Sequence, residues 1–118
     1  MLIELTKSHR GGLKSTTFSG RTEGREVRKS LKIDEREDGA DKVIIKLPND
    51  TTSFNPSFFL GLLFNSVKKC GSIESFKKKY VFDLSEFPEE LRAFIASDLE
   101  DSYQRCANEL NKKTGIDL

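Results

Sequence analysis

The chain has 118 residues, of which 33% are charged and 36% hydrophobic, with nine Phe and no Trp, and its formal net charge is +1. That is long enough for one domain to bury a core without disulfides or metal, and the composition excludes a disordered segment. The near-neutral balance excludes a strong overall pull toward nucleic acid or membrane, although residues 1–33 carry eight Lys/Arg against three Glu and residues 34–50 carry three against six.

Leu2 to Thr6 alternates, with Ile3 and Leu5 on one face and Glu4 and Thr6 on the other, the period of a half-buried strand. Gly11-Gly12 marks a turn, and residues 13–18 read as a second strand or a loop. Ser19-Gly20-Arg21-Thr22 reads as a helix start, with Val27 and Leu31 as an apolar pair four residues apart on a helix reaching about residue 33. Asp34 to Asp41, with Gly39, is an acidic connection. Val43, Ile45 and Leu47 then point one way along a strand whose other face carries Ile44; apolar residues on both faces predict a central position.

Asn55-Pro56-Ser57 opens the next helix. Asn55 is suited to the N-cap because its side-chain oxygen accepts from amides of the first turn, and Pro56 at the first helical position loses nothing by lacking an N–H. Phe58, Phe59, Leu62, Leu63 and Val67 form the expected buried stripe. Lys68 and Lys69 suit the negative end of the dipole, and Gly71 can close the helix. Tyr80 to Leu84 is another strand with apolar residues on both faces. Pro88 starts the last and longest helix, with Glu89 and Glu90 in its first turn and a stripe of Leu91, Ile95, Leu99, Tyr103, Cys106 and Leu110. Residues 113–118 are expected to fray. The order β-(β)-α-β-α-β-α predicts a single α/β domain over 1–118, a mixed sheet with helices packed on it. Its strands at 42–47 and 79–84 are expected to be joined by a right-handed crossover.

No catalytic constellation accompanies this pattern. His9 has no carboxylate or Cys near it in sequence, which reads as a surface histidine rather than a general base. Asp83, inside an apolar strand, is read as pointing to a strand edge or capping the next turn at Leu84-Ser85-Glu86. Cys70 and Cys106 match neither a Cys-x-x-Cys pair nor zinc spacing; they read as small hydrophobes on helix faces in a reduced cytoplasmic protein, with no metal or cofactor. Met1-Leu2-Ile3 meets Glu4 at once, too short for a signal peptide, and no stretch approaches a membrane span. Gly20 and Gly24 with Arg21 and Arg25 surround a helix N-terminus and form a possible anion contact, without the spacing of a phosphate-loop fingerprint. Phe64, on the side of its helix opposite the stripe, and Phe54 are expected to contribute to an exposed apolar patch that marks a partner surface.

Two blocks resemble the STAS-like domains of unknown function. Ser19-Gly20-Arg21-Thr22-Glu23-Gly24-Arg25-Glu26-Val27-Arg28 is similar to the Gly and E-x-x-R segment ahead of that family's first helix. Val43-Ile44-Ile45-Lys46-Leu47 through Ser57-Phe58-Phe59-Leu60-Gly61-Leu62-Leu63-Phe64 is similar to its strand, small polar residues and Ser-Phe helix. The resemblance covers nearly the whole chain. It implies a non-enzymatic, bacterial, regulatory protein-interaction domain akin to the anti-sigma-factor antagonists. In those, a Ser or Thr at the start of this helix is phosphorylated by a partner ATPase of the histidine-kinase type, which switches binding off. Ser57 falls on that position, with Asn55, Phe54 and Phe58 as the expected partner-binding neighbours. The antagonists carry Asp-Ser-Ser/Thr-Gly where this chain reads Pro56-Ser57-Phe58-Phe59. The alternative expectation is a nucleic-acid-binding accessory protein that uses the basic N-terminal region.

Overall fold

A computed structural model describes residues 1–12 and 14–114, with side chains described through Lys112. Along the chain run β1 (Leu2–Glu4), a 3-10 turn (Lys7–Arg10), β2 (Thr17–Phe18), α1 (Arg21–Ser30), α2 (Ile33–Glu37), β3 (Val43–Lys46) and β4 (Ser53–Phe54). They are followed by α3 (Pro56–Cys70), α4 (Ile73–Lys79), β5 (Tyr80–Asp83) and α5 (Glu89–Thr114). The α/β architecture expected from the alternation is present, and β3 and β5 share one sheet. All strand pairs are parallel rather than mixed, and they divide into a three-stranded ladder β1-β3-β5 and a two-stranded ladder β2-β4.

Pleating sorts the three-stranded ladder into two faces. Ile3, Ile45 and Phe82 lie in register on the inner face, where Ile3 and Ile45 are fully buried. α3 reaches this face through Phe59, whose ring stacks on Phe82 at 6.3 Å. Leu2, Ile44 and Val81 form the matching row on the outer face and stay 46%, 42% and 45% exposed. β3 is therefore central in hydrogen bonding, as expected, but Ile44 is not buried. Phe58, Leu62, Leu63 and Ile45 share one core, with Phe82 packed against it.

Three local expectations change. The first helix does not run to residue 33: Lys32 takes a left-handed conformation (φ 54, ψ 44), and the chain restarts as α2. That reversal buries Ile33 and carries Glu37 inward, so the segment read as an acidic connection is partly helical. Residues 73–79, for which the pattern gave no element, form α4; Ser72 caps it by accepting from the Ser75 amide at 3.1 Å, and Phe76 stacks on Tyr80. The 13–18 region is a strand at Thr17–Phe18, extended by Thr52 N to Thr16 O at 2.8 Å, whereas Leu13 lies outside the described residues. α5 follows its expected stripe, with Ile95, Leu99, Cys106 and Leu110 buried and Leu91 and Tyr103 partly so. It continues through Thr114, and 115–118 of the expected tail lie outside the described residues.

α1 crosses α3 backbone against backbone. A Cβ on Gly24 would strike the Phe58 carbonyl and lie 2.8 Å from Leu62 N; one on Gly61 would strike the Arg21 carbonyl and lie 2.9 Å from Arg25 N. Two facing glycines are what permit this approach. With α5 on its other flank, α3 lies in a valley between α1 and α5. No helix among the described residues is long and apolar enough to cross a membrane.

Candidate functional site

The start of α3 is built as its sequence suggests. Asn55 is extended (φ −66, ψ 140), its Oδ1 accepts from Ser57 N at 2.8 Å, and Pro56 occupies the first turn. α5 braces the approach to this turn: Asp98 Oδ2 accepts from Phe54 N at 2.9 Å and from Ser53 Oγ at 3.1 Å. Ser57 is half-buried and lines a groove of about 360 Å³ with Arg21, Leu60, Arg105, Asn108, Glu109 and Lys112. The cations come from α1 and α5, so no local sequence window displays them together.

Phe54 and Phe58 do not belong to this surface. Both are fully buried, because Phe54 sits among the rings of Phe18, Phe58, Phe59 and Phe82 at centroid distances of 5.4–6.4 Å. Phe64 is buried too, beneath the Arg21 guanidinium at 5.7 Å. The expected exposed patch at Phe54 and Phe64 is therefore absent. The exposed aromatic side chain is Phe94, 59% accessible. It stands four and eleven residues before Asp98 and Arg105, hence on the same face of α5. Its place off the stripe Leu91-Ile95-Leu99 is the signal that could have revealed it.

Arg21 spans the valley. Its two terminal nitrogens meet the Glu109 carboxylate at 3.0 and 2.5 Å, a bidentate clasp tying the start of α1 to α5 above α3. On the far side of the clasp, Arg25 and Lys29 of α1 and Asn65 and Lys68 of α3 line a cleft of about 490 Å³. Leu60, Gly61 and Phe64 also line it, as do Arg21, Arg28 and Asp34. The two residues read as a possible anion contact both line this cleft, but Arg21 is engaged by Glu109 at its edge, whereas Arg25 has no described side-chain partner. The two neighbouring glycines serve the backbone. Gly20 (φ 93) precedes the helix with the Glu23 side chain beside it, and Gly24 seats α1 on α3.

Beneath the cleft lies an ionic cluster that sequence reasoning missed. Arg28, 5% exposed, donates to Leu62 O (2.7 Å), Ser66 Oγ (2.8 Å), Asp34 Oδ1 (2.6 Å) and Glu37 Oε2 (2.8 Å). Glu37, 1% exposed, also accepts from Ser66 Oγ at 2.6 Å, Lys69 Nζ at 2.9 Å and the Tyr80 hydroxyl. Burial pushes the Glu37 carboxyl up, but the hydrogen bonds from Ser66, Tyr80 and Lys69 and the Arg28 charge outweigh it and hold the group below its ordinary 4.5. Burial, reinforced by Glu37, raises the Tyr80 hydroxyl well above its usual range.

The remaining titratable candidates are dispersed. His9 Nδ1 accepts from Thr6 N at 3.0 Å, and burial lowers its pKa. Burial raises both thiols, Cys106 to about 12, so neither is a ready thiolate at neutral pH. Asp83 accepts from Ser85 N at 3.0 Å and Ser85 Oγ at 2.7 Å, the turn cap expected of it. No family model, curated protein or solved structure matches the chain.

Proposed function

We propose that the chain is a non-enzymatic regulatory interaction domain of the STAS-like kind, which binds a protein partner at the start of α3 around Ser57. The observation that carries this reading is the placement of the Ser57 hydroxyl in a capped first helical turn, within a groove bordered by Arg21, Arg105 and Lys112. A helix N-terminus and nearby cations both favour added negative charge. A phosphate on Ser57 is thus accommodated by the fold while changing the surface a partner meets. Phe94, on the α5 face that also holds Asp98 and Arg105, supplies the apolar contact that Phe54 and Phe58 cannot. The partner is an ATPase of the histidine-kinase type that uses Ser57 as its substrate, in a bacterial cytoplasm; the unbridged Cys70 and Cys106 fit that reducing compartment.

The test is to isolate the partner with the intact chain as bait, then titrate it against Ser57→Ala, Ser57→Glu and Ser57→Asp. Ser57→Ala keeps affinity, and the two acidic variants keep the fold and weaken binding by about tenfold, roughly 1.4 kcal/mol. Equal affinity for all three ends the reading.

The nucleic-acid alternative draws on the positive charge of residues 1–33. That charge is partly spent inside the fold. Arg10 is buried and bonded to Asp50 (2.8 Å) and Thr51 (3.1 Å), Arg28 is buried, and Arg21 is clasped. A steep loss of DNA or RNA affinity with salt would favour it.

A further inference from the structure

Arg25, Lys29 and Lys68 converge on one cleft, and neither the fold nor the Ser57 surface uses them. All three are exposed, and none of their side chains has a hydrogen-bond or ion-pair partner among the described residues. Other cations of the same seam are occupied: Arg21 by Glu109, Arg28 by Asp34 and Glu37, Lys69 by Glu37 and Asp38. α1 sets Arg25 and Lys29 four residues apart on one face, and α3 turns Lys68 toward them from the opposite wall. Crowding like charges in this way costs free energy. Asp34, the carboxylate on the lining, is already bound by Arg28 at 2.6 Å. The cavity, about 490 Å³, has the size of a small-ligand site.

We propose that the cleft between α1 and α3 binds a small polyphosphate, its phosphate groups held by Arg25, Lys29 and Lys68 with the Asn65 amide as an added donor. A compact polyanion suits this geometry better than an extended one. The positive charge is concentrated in one cavity bounded by the Arg21–Glu109 clasp, and the chain as a whole carries only +1, not the broad basic surface of a nucleic-acid binder. The carboxylates of an acidic peptide, spaced along a backbone, would spread beyond the cavity. Arg21 and Leu60 border both cavities, but Arg25, Lys29 and Lys68 line only this one and Ser57, Arg105 and Lys112 only the other, so separate variants test the two readings.

Isothermal titration of the full chain with inorganic tripolyphosphate, and in parallel with ATP, tests it. Wild type shows saturable binding that weakens with salt. The double variant Arg25→Ala/Lys29→Ala weakens it by about tenfold or more, Lys68→Glu abolishes it, and the distant surface variant Lys78→Ala leaves it unchanged. Because the three cleft side chains are exposed, Arg25→Ala/Lys29→Ala keeps its melting temperature, and Lys68→Glu, which sets a negative charge at the C-terminal end of α3, lowers it by only a few degrees. Tighter binding of ATP identifies a nucleotide ligand, and equal binding identifies the phosphate chain alone; both support the site. Absence of saturable binding overturns it, as does equal affinity in cleft variants and Lys78→Ala. Tight binding of a glutamate-rich peptide or an oligonucleotide where tripolyphosphate fails also overturns it.

Discussion

Arg28 and Lys29 are neighbours in sequence and occupy opposite worlds. Arg28 points into the molecule, where four acceptors from α2 and α3 surround it; Lys29 opens onto a cleft with no described partner. The same helix thus builds the fold with one cation and leaves the next free for something outside it. Buried charges are tolerated only when fully bonded, so removing a partner of Arg28 strands it. Exposed charges gain little from their surroundings, so their loss is close to neutral for stability. The functional signal lies with the cations whose removal the fold does not notice.

The largest expected effect breaks the buried half of this contrast. Glu37→Ala leaves the Arg28 guanidinium, the Ser66 and Tyr80 hydroxyls and Lys69 without a shared acceptor, and should cost about 3–5 kcal/mol in a urea or thermal unfolding measurement. The same carboxyl gives a pH signature. Because its folded value lies below the ordinary 4.5, its contribution is complete above that pH and is lost as pH falls through the depressed value. Wild type should therefore lose melting temperature below about pH 4.5 more steeply than Glu37→Gln.

A smaller effect is expected at the seam where α1 meets α3. Gly61→Ala forces a methyl group against the Arg21 carbonyl, which is main chain and cannot swing aside, and should destabilise by about 2–3 kcal/mol. If calorimetry shows Gly61→Ala as stable as wild type, the helices are not in backbone contact. The smallest effect sharpens the comparison at its boundary. Arg21 and Glu109 are about one-third and one-quarter exposed, so a double-mutant cycle through Arg21→Ala and Glu109→Ala should return a coupling of about 1 kcal/mol or less that shrinks with salt. A large, salt-independent coupling would place the clasp with the buried cluster instead.

Much of this architecture was legible because it repeats. The stripe on α5, the Asn55-Pro56-Ser57 cap and the strands at 43–46 and 80–83 each rest on a local period or a local hydrogen bond. The failures share the opposite property. Glu37 sits in a run of charged residues, and its partners arrive from positions 28, 66, 69 and 80, so nothing near it in sequence announces burial. Phe54 and Phe64 were misread because a helix-face argument considers one neighbour, whereas β2, β5 and α1 close over these rings from elsewhere. Gly61 did carry a signal. A glycine inside an otherwise unbroken apolar helix weakens it by about 1 kcal/mol relative to Ala, and close approach of another backbone is the usual reason. What no single residue revealed was the valley along α3, since its walls come from opposite ends of the chain.

The Arg21–Glu109 clasp also marks how far apart in sequence the pieces of this fold lie. Its two residues are separated by 88 positions, and the parallel β1-β3-β5 ladder likewise joins distant segments. Closing such loops costs chain entropy before any contact repays it, which slows folding relative to a helical bundle of similar size. On the ribosome α1 emerges early and waits, its Arg21 without a counter-ion, until nearly the whole of α5 has been made. Completion of the valley along α3 accordingly waits for α5, because its two walls are supplied by α1 and α5.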